Sequence, residues 1–181
     1  MPSVLVPLAQ GCEELEAVTI IDLLRRAEVD VVAAGLEAGP VTASSGVVLV
    51  PDVLLAEVLE RDFDMIVLPG GLGGAQRLEA DERITQLLQR MAAAGRYTTA
   101  ICAAPKVLLT AGLLEGRQAT AYPGALDNSV GVQVSTAAIV QDGQVITSRG
   151  PGTALNFTLT LIEVLCGRER RDQVEAALQR D

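Results

Sequence analysis

The feature that most constrains this chain is a set of short runs that are apolar at nearly every position, each separated from the next by a stretch with helical spacing. Ser3–Leu8 (SVLVPL) and Met65–Leu68 (MIVL) show no polar alternation. A strand with one face in water alternates; a strand without alternation is covered on both faces, as parallel strands between helices are. Val29–Ala34, closed by Gly35, and Tyr97–Ile101 read as further strands. Glu13–Ala27, Ala80–Ala94, Ala104–Ala111, Thr153–Leu165 and the polar Arg168–Gln179 read as helices, with Thr153 a suitable N-cap. Val41–Ala43 and Val47–Val50 are short extended pieces around Ser44-Ser45-Gly46, and Ala119–Tyr122 is another short strand. Ala137–Val140 and Gln144–Thr147 flank Asp142-Gly143, a hairpin signal. This order predicts an α/β protein, a doubly wound sandwich with a mostly parallel central sheet. At 181 residues, with no repeat and no linker, residues 1–181 are expected to form one domain.

Folds of this kind place their sites at the carboxyl ends of the strands. Three segments fall there: Gly11–Glu16, Pro69–Gly74 and Cys102–Pro105. In Ala100-Ile101-Cys102-Ala103-Ala104-Pro105 a strand runs into the cysteine and a helix starts just after it. The residues two before and two after are both Ala, the small-x-nucleophile-x-small layout of a nucleophile elbow. Such a turn strains its central residue by roughly 1–3 kcal/mol. It also sets the thiol at a helix N-terminus, where unpaired N–H groups favour thiolate, so a pKa well below the usual value is expected. Pro105 suits the first helical turn. The competing reading is an inert core cysteine.

Glu16 shares one helix stripe with Ile20, Leu23, Leu24 and Ala27, whereas Glu13, Glu14, Asp22, Arg25 and Arg26 lie largely off it. A carboxylate on an apolar stripe is paired or kept protonated, and a protonated Glu beside a thiolate can donate a hydrogen bond and shuttle a proton. The alternative is an ordinary acid at an exposed helix start. Pro69-Gly70-Gly71-Leu72-Gly73-Gly74 reads as a glycine-rich turn. A phosphate loop is disfavoured: no Lys-Ser/Thr follows, and Gln76 stands where a third fingerprint glycine would be. A backbone N–H of Gly71 aimed at an oxyanion fits better. Cys12 follows the first strand, as a bystander or as a resolving thiol; Cys166 ends an apolar helix and reads as packing.

Composition removes several functions. The chain has no histidine, which eliminates Ser-His, Cys-His and His-metal chemistry within it. A net charge of −9 and two Tyr, two Phe and no Trp argue against a nucleic-acid groove. No apolar run approaches the roughly 18 residues of a membrane span. The first ten residues lack the basic region of a signal peptide. Three cysteines with no zinc spacing suit a reducing compartment, so a cytoplasmic location is expected, with no metal or other cofactor.

Four ordered motifs, Gly11-Cys12-Glu13-Glu14-Leu15-Glu16, Val67-Leu68-Pro69-Gly70-Gly71, Ala100–Pro105 and Thr147-Ser148-Arg149-Gly150-Pro151-Gly152-Thr153, resemble the ThiJ/PfpI superfamily, in its Parkinsonism-associated deglycase branch and that branch's bacterial relatives. The resemblance covers essentially the whole chain. It implies a flavodoxin-like fold, Cys102 as elbow nucleophile, Glu16 as its protonated partner and the N–H groups of Gly71 and Ala103 as an oxyanion site. Gly70, Cys12, Tyr122, Arg149 and Pro151 would line that site. Members of the branch pair as homodimers through the first helix, with the Pro151 loop approaching the other subunit's cleft. The human member has a histidine near the cysteine; Tyr122 stands in its place here, and a tyrosine is a poor base at neutral pH. The implied function is a glutathione- and metal-independent glyoxalase or deglycase acting on methylglyoxal, glyoxal or early glycation adducts. The alternative is an oxidative-stress sensor or chaperone using the same oxidisable Cys102. Isocyanide hydration ranks lower, since relatives with that activity place Asp at the Glu16 position.

Overall fold

The computed structural model describes residues 1–127 and 129–180. In chain order the elements are β1 (Ser3–Leu8), α1 (Glu14–Arg26), β2 (Asp30–Gly35), β3 (Val41–Thr42), β4 (Val48–Leu49), β5 (Val53–Leu54), α2 (Leu55–Val58), β6 (Met65–Leu68), α3 (Leu72–Ala80), α4 (Glu82–Ala93), β7 (Tyr97–Ile101), α5 (Pro105–Thr110), β8 (Gln118–Ala119), β9 (Gln133–Val134), β10 (Ile139–Asp142), β11 (Val145–Ser148), α6 (Ala154–Cys166) and α7 (Arg168–Ala177). The main sheet runs β10-β11-β7-β6-β1-β2-β5. Every pairing in it is parallel except β10 against β11. The β3–β4 and β8–β9 pairs stand apart from it.

The unbroken apolar runs are explained by helices on both faces. In β1, Val4, Val6 and Leu8 pack on one side with Ile20 and Leu24 of α1 and Phe157 and Leu161 of α6. Leu5 points the other way, with Leu78 of α3, Leu87 of α4 and Leu108 of α5. Because strand side chains alternate between faces, both parities must be apolar when both faces are covered. The helix after β1 covers one face and the helices after β6 cover the other. The adjacent β1 and β6 therefore form a topological switch point, which opens a crevice at their carboxyl ends.

The structure departs from the sequence expectations in places. The glycine-rich segment after β6 is not a plain turn: Leu72–Ala80 is helical through Gly73 and Gly74. Interior glycines cost a helix about 1 kcal/mol each, which hides α3 in the sequence. The reason for Gly74 is tertiary: a Cβ there would stand 2.6 Å from the Cys12 Cα. The single helix expected over Ala80–Ala94 is interrupted at Asp81, whose extended backbone ends α3 and whose side chain caps α4 by accepting from Arg83 N at 2.9 Å. The two-residue β5 and short α2 carry too little periodicity to read. Thr153 makes no cap bond to α6; its Oγ1 accepts instead from Gly150 N at 3.2 Å in a 3-10 turn over Pro151–Thr153.

Candidate functional site

Strand β7 delivers Cys102 to the turn before α5, and the backbone there adopts φ +65°. An L-residue reaches this left-handed region at a cost, and surrounding structure must hold it. Cys102 N donates to Ser148 O of β11 at 2.9 Å, and Cys102 O accepts from Tyr122 N at 2.8 Å. Two segments far away in sequence thus clamp the elbow. Ala100 and Ala104 are fully buried, so the small neighbours are required by packing.

Glu16 reaches the same point from α1. Its stripe partners Ile20, Leu23 and Leu24 are buried, and Glu16 itself has no exposed surface. One carboxyl oxygen, Oε2, accepts from Gly70 N at 2.7 Å. The other, Oε1, is buried without a hydrogen-bond partner among the described residues. A Cβ on Gly70 would lie 2.6 Å from both Glu16 Oε2 and Cys102 Cβ. The two side chains therefore flank one missing methyl, and only glycine fits between them. Burial pushes the Glu16 carboxyl up to about 7, against the Gly70 N–H and Cys102 thiol, which favour its charged form.

The thiol corrects the expectation drawn from the elbow alone. Burial, followed by the negative charge of Glu16, pushes Cys102 up to about 12, although the Gly71 and Ala103 amides pull it down. A short α5 N-terminus does not outweigh desolvation and a neighbouring carboxylate. The two groups are coupled: the carboxyl loses its proton first, and its charge then holds the proton on the sulfur. With the proton on Glu16 the like-charge repulsion disappears, and the Gly71 and Ala103 amides face the thiolate. Gly71, at φ +82°, can present its N–H this way because its turn is closed to any Cβ: Gly11 O and Glu13 N both lie 2.5 Å from where one would be.

Cys102, 8% exposed, forms the floor of a cleft of about 630 Å³. Its walls include Gly71, Ala103, Tyr122 and Pro151, together with Glu13 and Lys106. The residues match the DJ-1/PfpI family over positions 2–164. The chain belongs to the DJ-1/PfpI family. It is 44% identical over 178 residues to Protein DJ-1 homolog B of Arabidopsis thaliana, covering 97% of this chain and 41% of the relative. It thus spans less than half the length of that relative and of the A homologue. Protein dj-1beta of Drosophila melanogaster is 42% identical over 179 residues, with 97% and 96% covered. The crystal structure of the Drosophila protein superposes with a TM-score of 0.94 at 41% identity, over 98% of this chain and 97% of that one. The Glutathione-independent glyoxalase DJR-1.2 of Caenorhabditis elegans is 35% identical over 167 residues, with 91% and 89% covered.

Within this DJ-1/PfpI chain, the structure brings together Cys102, Glu16, Gly70, Gly71 and Ala103, with Tyr122 and Pro151 at the rim. It does not bring Cys12 or Arg149 to the cleft wall. Cys12 is 1% exposed, sealed by α3 at Gly74, and burial pushes its thiol up to about 11. Arg149 is exposed, and its guanidinium reaches Thr136 O at 3.4 Å instead. Sequence reasoning missed Glu79 and Gln76, which face the cleft from α3; they were hidden with the helix itself. Lys106 was legible in principle, one turn beyond Cys102 on α5.

Proposed function

We propose that this protein is a cysteine-dependent glyoxalase that uses neither glutathione nor metal. The observation that carries this is the Glu16–Cys102 pair, with Glu16 fully buried and Cys102 on the floor of an open cleft, faced by two backbone amides. The similarity to the C. elegans relative, named a glutathione-independent glyoxalase, supports it.

The Cys102 thiolate attacks the aldehyde carbon of methylglyoxal. The S–C bond forms, and the charge on oxygen is held by the Gly71 and Ala103 N–H groups. Glu16 gives that oxygen its proton, leaving a hemithioacetal and a carboxylate. The carboxylate removes the hydrogen from the former aldehyde carbon and returns it to the adjacent carbon, while the hydroxyl proton passes to the neighbouring oxygen. The result is a lactoyl thioester. Water cleaves it to lactate and the Cys102 thiol, and one proton leaves to solvent as the pair regains its one-proton state. Tyr122, about half exposed at the rim, is not needed as a base. Early glycation adducts would enter by the same attack on the former carbonyl carbon. Lactate formation from methylglyoxal without glutathione, lost in Cys102→Ser, tests the proposal; undiminished turnover in that variant refutes it.

The unpartnered Glu16 Oε1 also favours a second reading, oxidative sensing, because a protonated carboxyl there can donate to a sulfinate on Cys102. Under either reading we propose a homodimer. Leu15 and Val18 of α1 are exposed beside Val47, Val48 and Val50. The loop carrying Val47 is tied to α1, with Ser45 N donating to Glu14 Oε1 at 2.9 Å. Sedimentation showing only an 18.9 kDa particle would refute the dimer.

A further inference from the structure

The walls of the cleft over Cys102 carry charge of nearly one sign. Glu13, Glu79 and Asp127 line it, against Lys106 as the one cation among the described lining residues. Lys106 does not stand free: its Nζ lies 3.3 Å from Glu79 Oε2. Glu79 is held in turn, its Oε1 accepting from Thr110 Oγ1 at 2.8 Å. Glu13 is fixed as well, by its N–H to Gly70 O at 2.9 Å and by Ser44 Oγ at 2.9 Å from its Oε2. On the floor, the Glu16–Cys102 pair adds a further negative charge once its first proton has left. Glu16 itself is fully buried beneath the floor, and its Oε1 has no hydrogen-bond partner among the described residues.

We propose that this cleft sorts carbonyl compounds by charge, admitting neutral and cationic ones and rejecting anions, with Glu13, Glu79 and Asp127 as the specificity-determining residues. The inference rests on Cys102 being the attacking group. A concave site lined by one sign of charge focuses its field on whatever enters. Lys106, already paired, offers an incoming carboxylate no free counter-charge. Neutral dicarbonyls, and adducts that keep a guanidinium or ammonium, therefore fit. A 2-oxo acid such as glyoxylate, with an aldehyde of similar size, is turned away by its own carboxylate.

Charged thiol reagents read this without any turnover. Three methanethiosulfonates carrying a neutral methyl, a cationic trimethylammonioethyl or an anionic sulfonatoethyl group each form a mixed disulfide with Cys102 and release methanesulfinate. Rates at the Cys102 peptide are followed by mass spectrometry and divided by the rates with 2-mercaptoethanol, an uncharged thiol, which removes intrinsic reactivity. The expected order at low salt is cationic, neutral, anionic, with at least about tenfold between the extremes and convergence as salt rises. Glu79→Gln keeps the acceptor for Thr110, removes one charge and frees Lys106, so it narrows the spread. Equal corrected rates in the native protein, or a faster anionic reagent, overturn the proposal. Turnover of methylglyoxal and glyoxylate is measured alongside. The expected order of reagents with no turnover of either aldehyde leaves charge sorting standing and removes the glyoxalase reading. Methylglyoxal turnover with equal reagent rates does the reverse.

Discussion

Cys12 and Cys102 make an instructive pair. Both follow parallel strands, both stand at the carboxyl edge of one sheet, and both are buried. Their backbones separate them. Cys102 is pinned at φ +65° between β11 and Tyr122, which points it at a cleft and at two amides. Cys12 donates its N–H to Ala9 O in an ordinary turn and is capped by the bare backbone of Gly74. Desolvation raises both thiols, so burial does not distinguish them. What distinguishes them is the Gly71 and Ala103 amides and a directly adjoining carboxyl at one sulfur, whereas Glu14, Glu13 and Glu16 act on the other only by repulsion.

The sharpest break of this comparison is a pair of serine variants. Cys102→Ser should reduce methylglyoxal turnover to the uncatalysed level, while Cys12→Ser keeps most of it. Glu16→Gln comes next. It retains a side chain that can bond Gly70 but cannot shuttle a proton, and turnover should fall about 10²–10⁴-fold with the circular dichroism spectrum unchanged.

The same substitution has a stability signature. Folding raises Glu16 from 4.5 to about 7, so between those values the folded state keeps a proton that the unfolded chain has lost. The contribution of Glu16 to stability is then fully present below pH 4.5 and lost, by about 3 kcal/mol, as pH rises through 7. Denaturant titrations at pH 5 and pH 8 should show that loss as the difference between the native protein and Glu16→Gln. The same pH dependence in both would place the titration elsewhere.

Two glycines separate site from scaffold. Gly70→Ala and Gly74→Ala each put a Cβ 2.6 Å from an atom of a cysteine, and each should cost about 1–3 kcal/mol. Only Gly70→Ala pushes Glu16 and Cys102 apart directly, so its turnover loss should exceed that of Gly74→Ala. The smallest expected effect is at Cys12 itself. With peroxide, mass spectrometry should show a gain of two oxygens on the Cys102 peptide rather than the loss of two hydrogens that marks a Cys12–Cys102 disulfide, because Cys12 is sealed under Gly74 and does not line the cleft.

The parallel sandwich was readable because its strands are apolar at both parities, and that pattern has one inexpensive solution, burial on both faces. The elbow was readable because a strand, a cysteine with small neighbours and Pro105 follow one another locally. Glu16 was readable from its stripe, which places a carboxylate wherever Ile20 and Leu24 go. None of these says what a side chain meets across the sheet. Residue 74 must be glycine because Cys12, over sixty residues away in sequence, lies against it, a requirement that local helix propensity does not reveal. The coupling of Glu16 to Cys102, the exclusion of Cys12 and Arg149 from the cleft wall, and the meeting of Glu13, Glu79 and Asp127 around it were likewise decided in three dimensions. Local spacing determines which face a residue takes, but desolvation and charge depend on atoms that only the packed fold brings together.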